Sequence, residues 1–378
     1  MRQEDLDRLS KPYACSDPTT YDRASADALG AGVASIRELA ADVLSDLDPD
    51  HFGISWWRHF PQLGTKRRIL IADQLYVCAV SIEQNLAEAQ LHRLEALDHR
   101  DHQAKQVARS AVLGREGTIA LRHPERRCPA DDLPLRLVTL HTAGFFRALV
   151  SALDCLGGTI VGVAGIPSSI LKSDLSGALG WLGSRKVRLP RQRSLGDSLK
   201  TLIKAAGPTG WLDWATDYRN MLVHRGRRTH MLSIDVESHV LDQRGLPVLR
   251  SVPVDQLPAE PARSDIEALV SWKGGQPVLL EDADITMSGL FDSAREALSG
   301  AGTLLTPLWR ERRANPTLIT QPLEQWPVFP SKEVVGFKGY SPTRTFNPSE
   351  IRTNPLMVTR MKAAALHSDN RSRWDTFD

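Results

Sequence analysis

The sequence predicts a mainly α protein, a helical bundle with one small β-hairpin insertion and an irregular C-terminal tail. Three observations carry this. Apolar residues recur at spacings of three and four through several long segments, the signature of a helix face. Two-residue alternation is confined to one region after residue 230. Hydrophobic residues make up 42% of 378 residues, enough for a sizeable core. The organisation read from these patterns is an N-terminal helical extension over 1–64, a bundle over 65–313 with a β excursion at about 231–280, and a Pro-rich tail over 314–378.

Residues 1–18 read as loosely ordered, punctuated by Pro12 and Pro18. Thr19 or Thr20 is placed to cap a helix running from Arg23 to Leu47, on Leu29, Val33, Ile36, Ala40 and Val43. Asp48-Pro49-Asp50 ends it. Trp56, Trp57 and His59 anchor a short segment to the core, although aromatics this dense also suit base stacking. The segment from Thr65 to about His99 has no Pro or Gly and carries Ile69, Leu75, Ile82, Leu86 and Leu94, so one long helix is expected. Its end, His99-Arg-Asp-His102, reads as charged and exposed, and 103–118 either extends it or forms a second short helix.

A second long helix is expected from Leu135 to about Val163, apolar nearly all round and therefore central. Gly158 and Gly162 would let another helix approach closely, and His141 reads as a core histidine. Short helices follow over Ser168–Trp181 and Ser194–Ala206, with Gly207-Pro-Thr-Gly210 as the stop. Strands paired around Gln243-Arg-Gly245 and a short strand at Val278–Leu280 form the β excursion. Asp282 or Asp284 starts a last long helix towards Trp309. A short helix near Met357–Leu366 is the one periodic stretch of the tail.

The net charge of +2 and pI near 8.4 do not mark a general polyanion binder, so any basic surface must be local. One local patch is Arg185, Lys186, Arg188, Arg191 and Arg193, which reads either as a phosphate contact or as a solvated loop. Cys15, Cys78, Cys128 and Cys155 form no C-x-x-C pair, and no His stands beside them at ligand spacing. No disulfide framework, metal or cofactor is therefore expected, and a reducing, cytoplasmic compartment fits. The polar N-terminus carries no secretory signal. Ala148–Ile166 contains Asp154 and follows Arg147, so it reads as a buried helix and no membrane partner is expected. Neither a Gly-rich phosphate loop, a G-x-S-x-G elbow nor an H-E-x-x-H helix is present.

The stretch that carries chemistry is Trp211 to His230. Trp211, Trp214, Ala215, Tyr218 and Leu222 form one stripe of a helix, and Asp213, Thr216, Asp217, Asn220 and His224 fall on the other side. Gly226 is the natural stop, which puts His224 in the last turn, where unpaired carbonyls favour an imidazolium. Arg225, Arg227 and Arg228 follow. An Arg five or six residues before a His also occurs at Arg93–His99, Arg136–His141 and Arg225–His230, so the setting, not the spacing, singles this one out. The segment Asp217-Tyr-Arg-Asn-Met-Leu-Val-His-Arg-Gly226 resembles the signature of the HEPN superfamily: Arg, a polar residue, a few mostly apolar residues, then His near the end of a core helix. Arg219, Asn220 and His224 occupy those places. The likeness is specific over about a dozen residues and extends by helix content over 65–230.

That resemblance implies a HEPN-like bundle, a homodimer whose two motifs face one cleft, and RNA cleavage without a metal. Histidine suits proton transfer near neutral pH, and arginine holds phosphate charge with a permanent fork of donors. His224 is then general base or acid, Arg219 the phosphate clamp, and Asn220 orients the imidazole or binds phosphate. Arg225, Arg227 and Arg228, with the 185–193 patch, would hold RNA. The implied setting is a bacterial toxin or anti-phage effector, with an antitoxin or defence protein as a partner. The alternatives are a non-catalytic HEPN-like module for dimerisation or nucleotide binding, and a helical scaffold unrelated to that family.

Overall fold

The structure, a computed structural model, describes residues 33–46, 65–113, 119–121, 133–166, 173–224, 235–241, 247–250 and 283–315, together with residues 22, 30, 168, 281 and 340. These residues are mainly helical. Helices α1 (Ala34–Asp46), α2 (Thr65–Ser110), α3 (Leu133–Ala164), α4 (Leu175–Leu182), α5 (Pro190–Ala205), α6 (Trp211–His224) and α7 (Ala283–Ala314) account for most of them. Two short antiparallel pairs complete the set, β1 (Ala111–Leu113) with β2 (Ile119–Leu121) and β3 (Asp235–Leu241) with β4 (Pro247–Arg250). The expected Val278–Leu280 strand, the 357–366 helix and the 52–60 aromatic segment lie outside the described residues.

Three expectations need revision. The first helix does not run through unbroken from residue 23. Gly30 sits in a bend and the Val33 N–H donates to its carbonyl at 3.2 Å, so α1 starts only at Ala34. Gly30 and Gly32 explain this, since glycine is the poorest ordinary residue in a helix interior. The region after His99 extends α2 through Ser110, one of the two outcomes expected, but the chain then enters β1 at Ala111, which its periodicity did not announce. The segment 184–193 is not wholly a loop, because Pro190 opens α5, a position where its missing N–H costs nothing.

By contacts the chain divides into two units. Unit 1 comprises Met1–Val33, Glu83–Ala152 and Ile203–Leu298, and unit 2 comprises Ala34–Ile82, Leu153–Leu202 and Ser299–Asp378. The borders fall inside α2, α3, α5 and α7, so each of these helices contributes to both.

In unit 2 the core gathers Ile36, Leu39 and Val43 of α1, Leu75 and Ile82 of α2, and Leu153, Leu156 and Ile160 of α3. Two glycines of α3 permit close approach: a Cβ at Gly162 would meet Leu75 Cδ1 at 2.5 Å, and one at Gly157 would overlap the Asp174 main chain. Asp174 caps α4, accepting the Gly177 N–H at 2.6 Å. The end of α3 is closed by Gly165 at φ 60, with the Ile166 N–H donating to the Val161 carbonyl at 3.1 Å. The carbonyls left over are met by side chains. Gln192 Nε2 donates to Ala164 O at 2.8 Å, and the buried Arg312 donates to Val163 O at 2.8 Å and to Gly162 O. Burial pushes the Arg312 guanidinium down to about 9. Nearby charge is paired, with Arg313 on buried Asp46 at 2.8 Å and Arg310 bridging Asp42 and Glu38 at 2.6 Å.

Unit 1 is held by Phe145, Leu149, Tyr218, Ala294, Ala297 and Leu298 and by an aromatic cluster described below. Among the described residues, one helix, Arg136–Ala164, is long and apolar enough to cross a membrane, and 72% of its most apolar window is buried inside the protein. Burial all round is not complete there, since Leu140 is exposed.

Candidate functional site

Helix α6 belongs to unit 1 and begins at a tight turn. Gly210 takes φ 86, a conformation that needs no Cβ, and its carbonyl accepts the Trp214 N–H at 2.9 Å. Asp213 in the first turn complements the positive end of the helix dipole. Trp211 is buried with its indole N–H satisfied by Ile203 O at 3.0 Å. Gly207 is needed for this packing, because a Cβ there would lie 2.5 Å from Ser293 Oγ and 2.9 Å from Trp211 Cδ1. Further along, Tyr218 meets Phe146 of α3 edge-on at 4.4 Å, and Trp214 stacks on Tyr218 at 5.1 Å with 7° between planes. Together with Thr142, Ala283, Thr286 and Met287, these rings line a small, mostly apolar pocket. Such aromatic pairs add about 0.5–1.5 kcal/mol each beyond burial. Rotation of α6 about its axis is thereby set.

That orientation places Arg219 and Asn220 on half-buried flanks. Thr216 and Asp217 are half-buried too, and Asp213 is the exposed member of the polar side. Arg219 is already engaged with the protein, so it is not a free surface cation. The main chain of His224 ends the helix, while its side chain lies outside the described residues, as do Arg225, Arg227 and Arg228 in full. Ideal helix geometry separates Arg219 from His224 by about 140° around the axis and about 7.5 Å along it, and Asn220 from His224 by about 40°. One helix thus groups Asn220 with His224 and sets Arg219 to the side.

The basic segment belongs to unit 2. Arg185 and Lys186 lie in the turn after α4, Arg188 in the connection, and Arg191 and Arg193 in the first turn of α5, all exposed. Two of the five are occupied. Arg191 pairs with Glu311 at 3.0 Å, and Arg193 donates twice to Val187 O, at 3.1 and 2.9 Å.

A second polar cluster in unit 1 joins α2 to α3. His92, Glu95 and His99 share one face of α2 by their spacing of three and four. His141 comes from α3. Nδ1 of His92 lies 3.0 Å from Nδ1 of His141, and Glu95 Oε2 lies 3.8 Å from His99 Nε2. One ligand atom from each of Glu95, His99 and His141 falls within 4.8 Å of the others. Burial lowers the pKa of both His92 and His141, and each is held down further by a neighbouring cation, Arg147 or another imidazole. Arg147 reaches Glu88 at 2.5 Å, and Arg93 pairs with Asp284.

Sequence reasoning missed this cluster. His99 was expected to be exposed, yet its side chain is 12% exposed, and Glu95 is 11% exposed. The signal was Glu95 and His99 one turn apart on a long helix, which a search centred on cysteine spacing passes over. No protein-family model, curated protein or solved structure matches the chain.

Proposed function

We propose that the chain is a metal-independent endoribonuclease of HEPN type, cutting RNA through its 2′-hydroxyl at a cleft between two copies. The supporting observation is the build of α6: one side is locked by Phe146, Trp214 and Tyr218, while Arg219, Asn220 and His224 fall in its last two turns. His224 transfers the proton, Arg219 holds the phosphorane charge, and Asn220, on the same side as His224, orients the imidazole. A single histidine cannot easily act as both acid and base, and the angle between Arg219 and His224 keeps them from converging within one helix. A two-fold dimer supplies a second copy of each. A HEPN-like bundle carrying the β3–β4 hairpin after the motif helix, and a role as a toxin or anti-phage effector in the bacterial cytoplasm with an antitoxin or defence partner, complete this reading.

The test is RNA cleavage in EDTA by the purified full chain, with light scattering for the dimer. Wild type should cut RNA, leave 2′,3′-cyclic phosphate ends and spare DNA. His224→Ala and Arg219→Ala should each lose about 10² to 10⁴ in rate while remaining dimeric. Equal cutting of single-stranded DNA, or a strict monomer that still cleaves, overturns the mechanism. The half-burial of Thr216, Asp217, Arg219 and Asn220 favours one alternative, a HEPN-like module that uses this side for dimerisation or nucleotide binding. A wild-type dimer that cuts no RNA selects that alternative.

A further inference from the structure

The cluster on α2 and α3 gathers side chains that can ligate a metal. Three imidazoles and one carboxylate meet there. Tautomerism can satisfy the Nδ1–Nδ1 contact, with one ring donating and the other accepting. His92 then directs its other nitrogen towards Glu88, 3.6 Å away, and Glu88 also receives Arg147. His141, engaged through Nδ1, keeps its Nε2 lone pair when it is the donor. His99 faces Glu95, and ring centroids place His99 5.5 Å from His141. The neighbouring cations Arg93 and Arg147 pair with Asp284 and Glu88.

The main chain makes room for this crowding. Gly144, one turn after His141, is the residue against which the His92 ring sits. A Cβ there would lie 2.5 to 2.6 Å from the imidazole.

We propose that Glu95, His99 and His141 bind a divalent transition-metal ion of the zinc class, with His92 as the positioning residue that orients the His141 ring. Two imidazoles and one carboxylate are a ligand set that zinc, cobalt and nickel accept, whereas calcium and magnesium prefer all-oxygen shells. Zinc–nitrogen and zinc–oxygen bonds of about 2.0–2.2 Å put tetrahedral ligands about 3.4 Å apart. The three atoms, now within 4.8 Å, reach that spacing through small side-chain rotations. A ring nitrogen of a metal-bound histidine is usually held by a second group, and His92 fills that role. The ion ties α2 to α3 within unit 1. It has no part in the phosphate chemistry assigned to α6, and this inference stands apart from it.

The experiment uses the full chain, stripped with a chelator and titrated at pH 7.5 with zinc by calorimetry and with cobalt by visible absorption. One ion per chain, a ligand-field band from cobalt and a rise in thermal midpoint with excess zinc are expected. Glu95→Gln and His99→Ala should each weaken binding at least tenfold, and His92→Gln by about 10- to 100-fold. X-ray absorption of bound zinc should show nitrogen and oxygen neighbours, including two imidazoles, and needs no variant to fold. Absence of uptake by wild type at micromolar free zinc overturns the proposal. So does a sulfur in the zinc shell, or uptake unchanged in the Glu95→Gln/His99→Ala chain. None of these readouts depends on RNA cleavage.

Discussion

In unit 2 a guanidinium fills the gap left by the end of a helix, while in unit 1 three imidazoles crowd a carboxylate. Arg312 is buried, and its Nη1 donates to the Gly162 and Val163 carbonyls, while Gln192 meets Ala164 beside them. The open end of α3 is thereby capped. The energy of this cap lies in hydrogen bonds that would cost more if left unmade than they return when made. In the other cluster, three imidazoles and a carboxylate, all groups able to ligate a metal, converge. Nδ1 meets Nδ1, His99 meets Glu95, and the nearby arginines are committed elsewhere. Both are polar and both are shielded by helices. The difference is in the groups: a guanidinium can only donate, whereas imidazole and carboxylate can hold a cation, which separates a structural plug from a candidate ion site.

Removal of the plug should have the largest effect. Arg312→Ala strands two buried carbonyls and opens a cavity, with an expected loss of about 2–5 kcal/mol in urea unfolding. Arg312→Met fills the space without restoring the donors and should lose less. Equal stability of all three proteins would show that α3 closes without the guanidinium, and the contrast between the clusters would fail.

Acidification sharpens the comparison next. The folded pKa of His92 and His141 lies below the ordinary 6.5, so the unfolded chain binds more protons as pH falls through that value. Stability is therefore fully present above about pH 6.5 and declines below it, until the folded histidines also protonate. Thermal midpoints of the metal-free chain between pH 7.5 and 5 should fall, and His92→Gln should fall less steeply. Because Arg312 stays charged throughout this range, Arg312→Met should track wild type.

The smallest effect belongs to the exposed segment of unit 2. Arg185→Glu with Arg188→Glu should leave stability within about 0.5 kcal/mol of wild type, as surface changes usually do. If the segment binds RNA, filter binding should weaken, and the slope of log K against log salt should shrink by about 0.7 for each phosphate no longer neutralised. An unchanged slope identifies an ordinary solvated turn. Arg191 and Arg193 are poorer probes, because Glu311 and Val187 O already hold them.

Amphipathic periodicity made the helices of residues 133–224 legible, since each buries a stripe whose spacing is written in the chain. The stops were legible as well, at Gly165 and Gly210, where the main chain takes positive φ. The motif helix stands at Trp211–His224, with Trp211, Ala215 and Tyr218 buried as the stripe required. Propensity also explains where reading went astray, for glycines at 30 and 32 outweighed a tidy apolar pattern.

By itself the sequence determined which residues form helices, which side of each is apolar, and which of them carry arginine and histidine. Local hydrogen bonding and side-chain spacing decide those matters within a few turns. Only the tertiary structure decided that His141, 42 residues beyond His99, meets it beside Glu95, and that Arg312 serves a helix ending 148 positions before it. Neither pairing leaves a periodic trace. Each depends on how two helices set their faces together, and burial then determines which charges survive and which lone pairs are left to share.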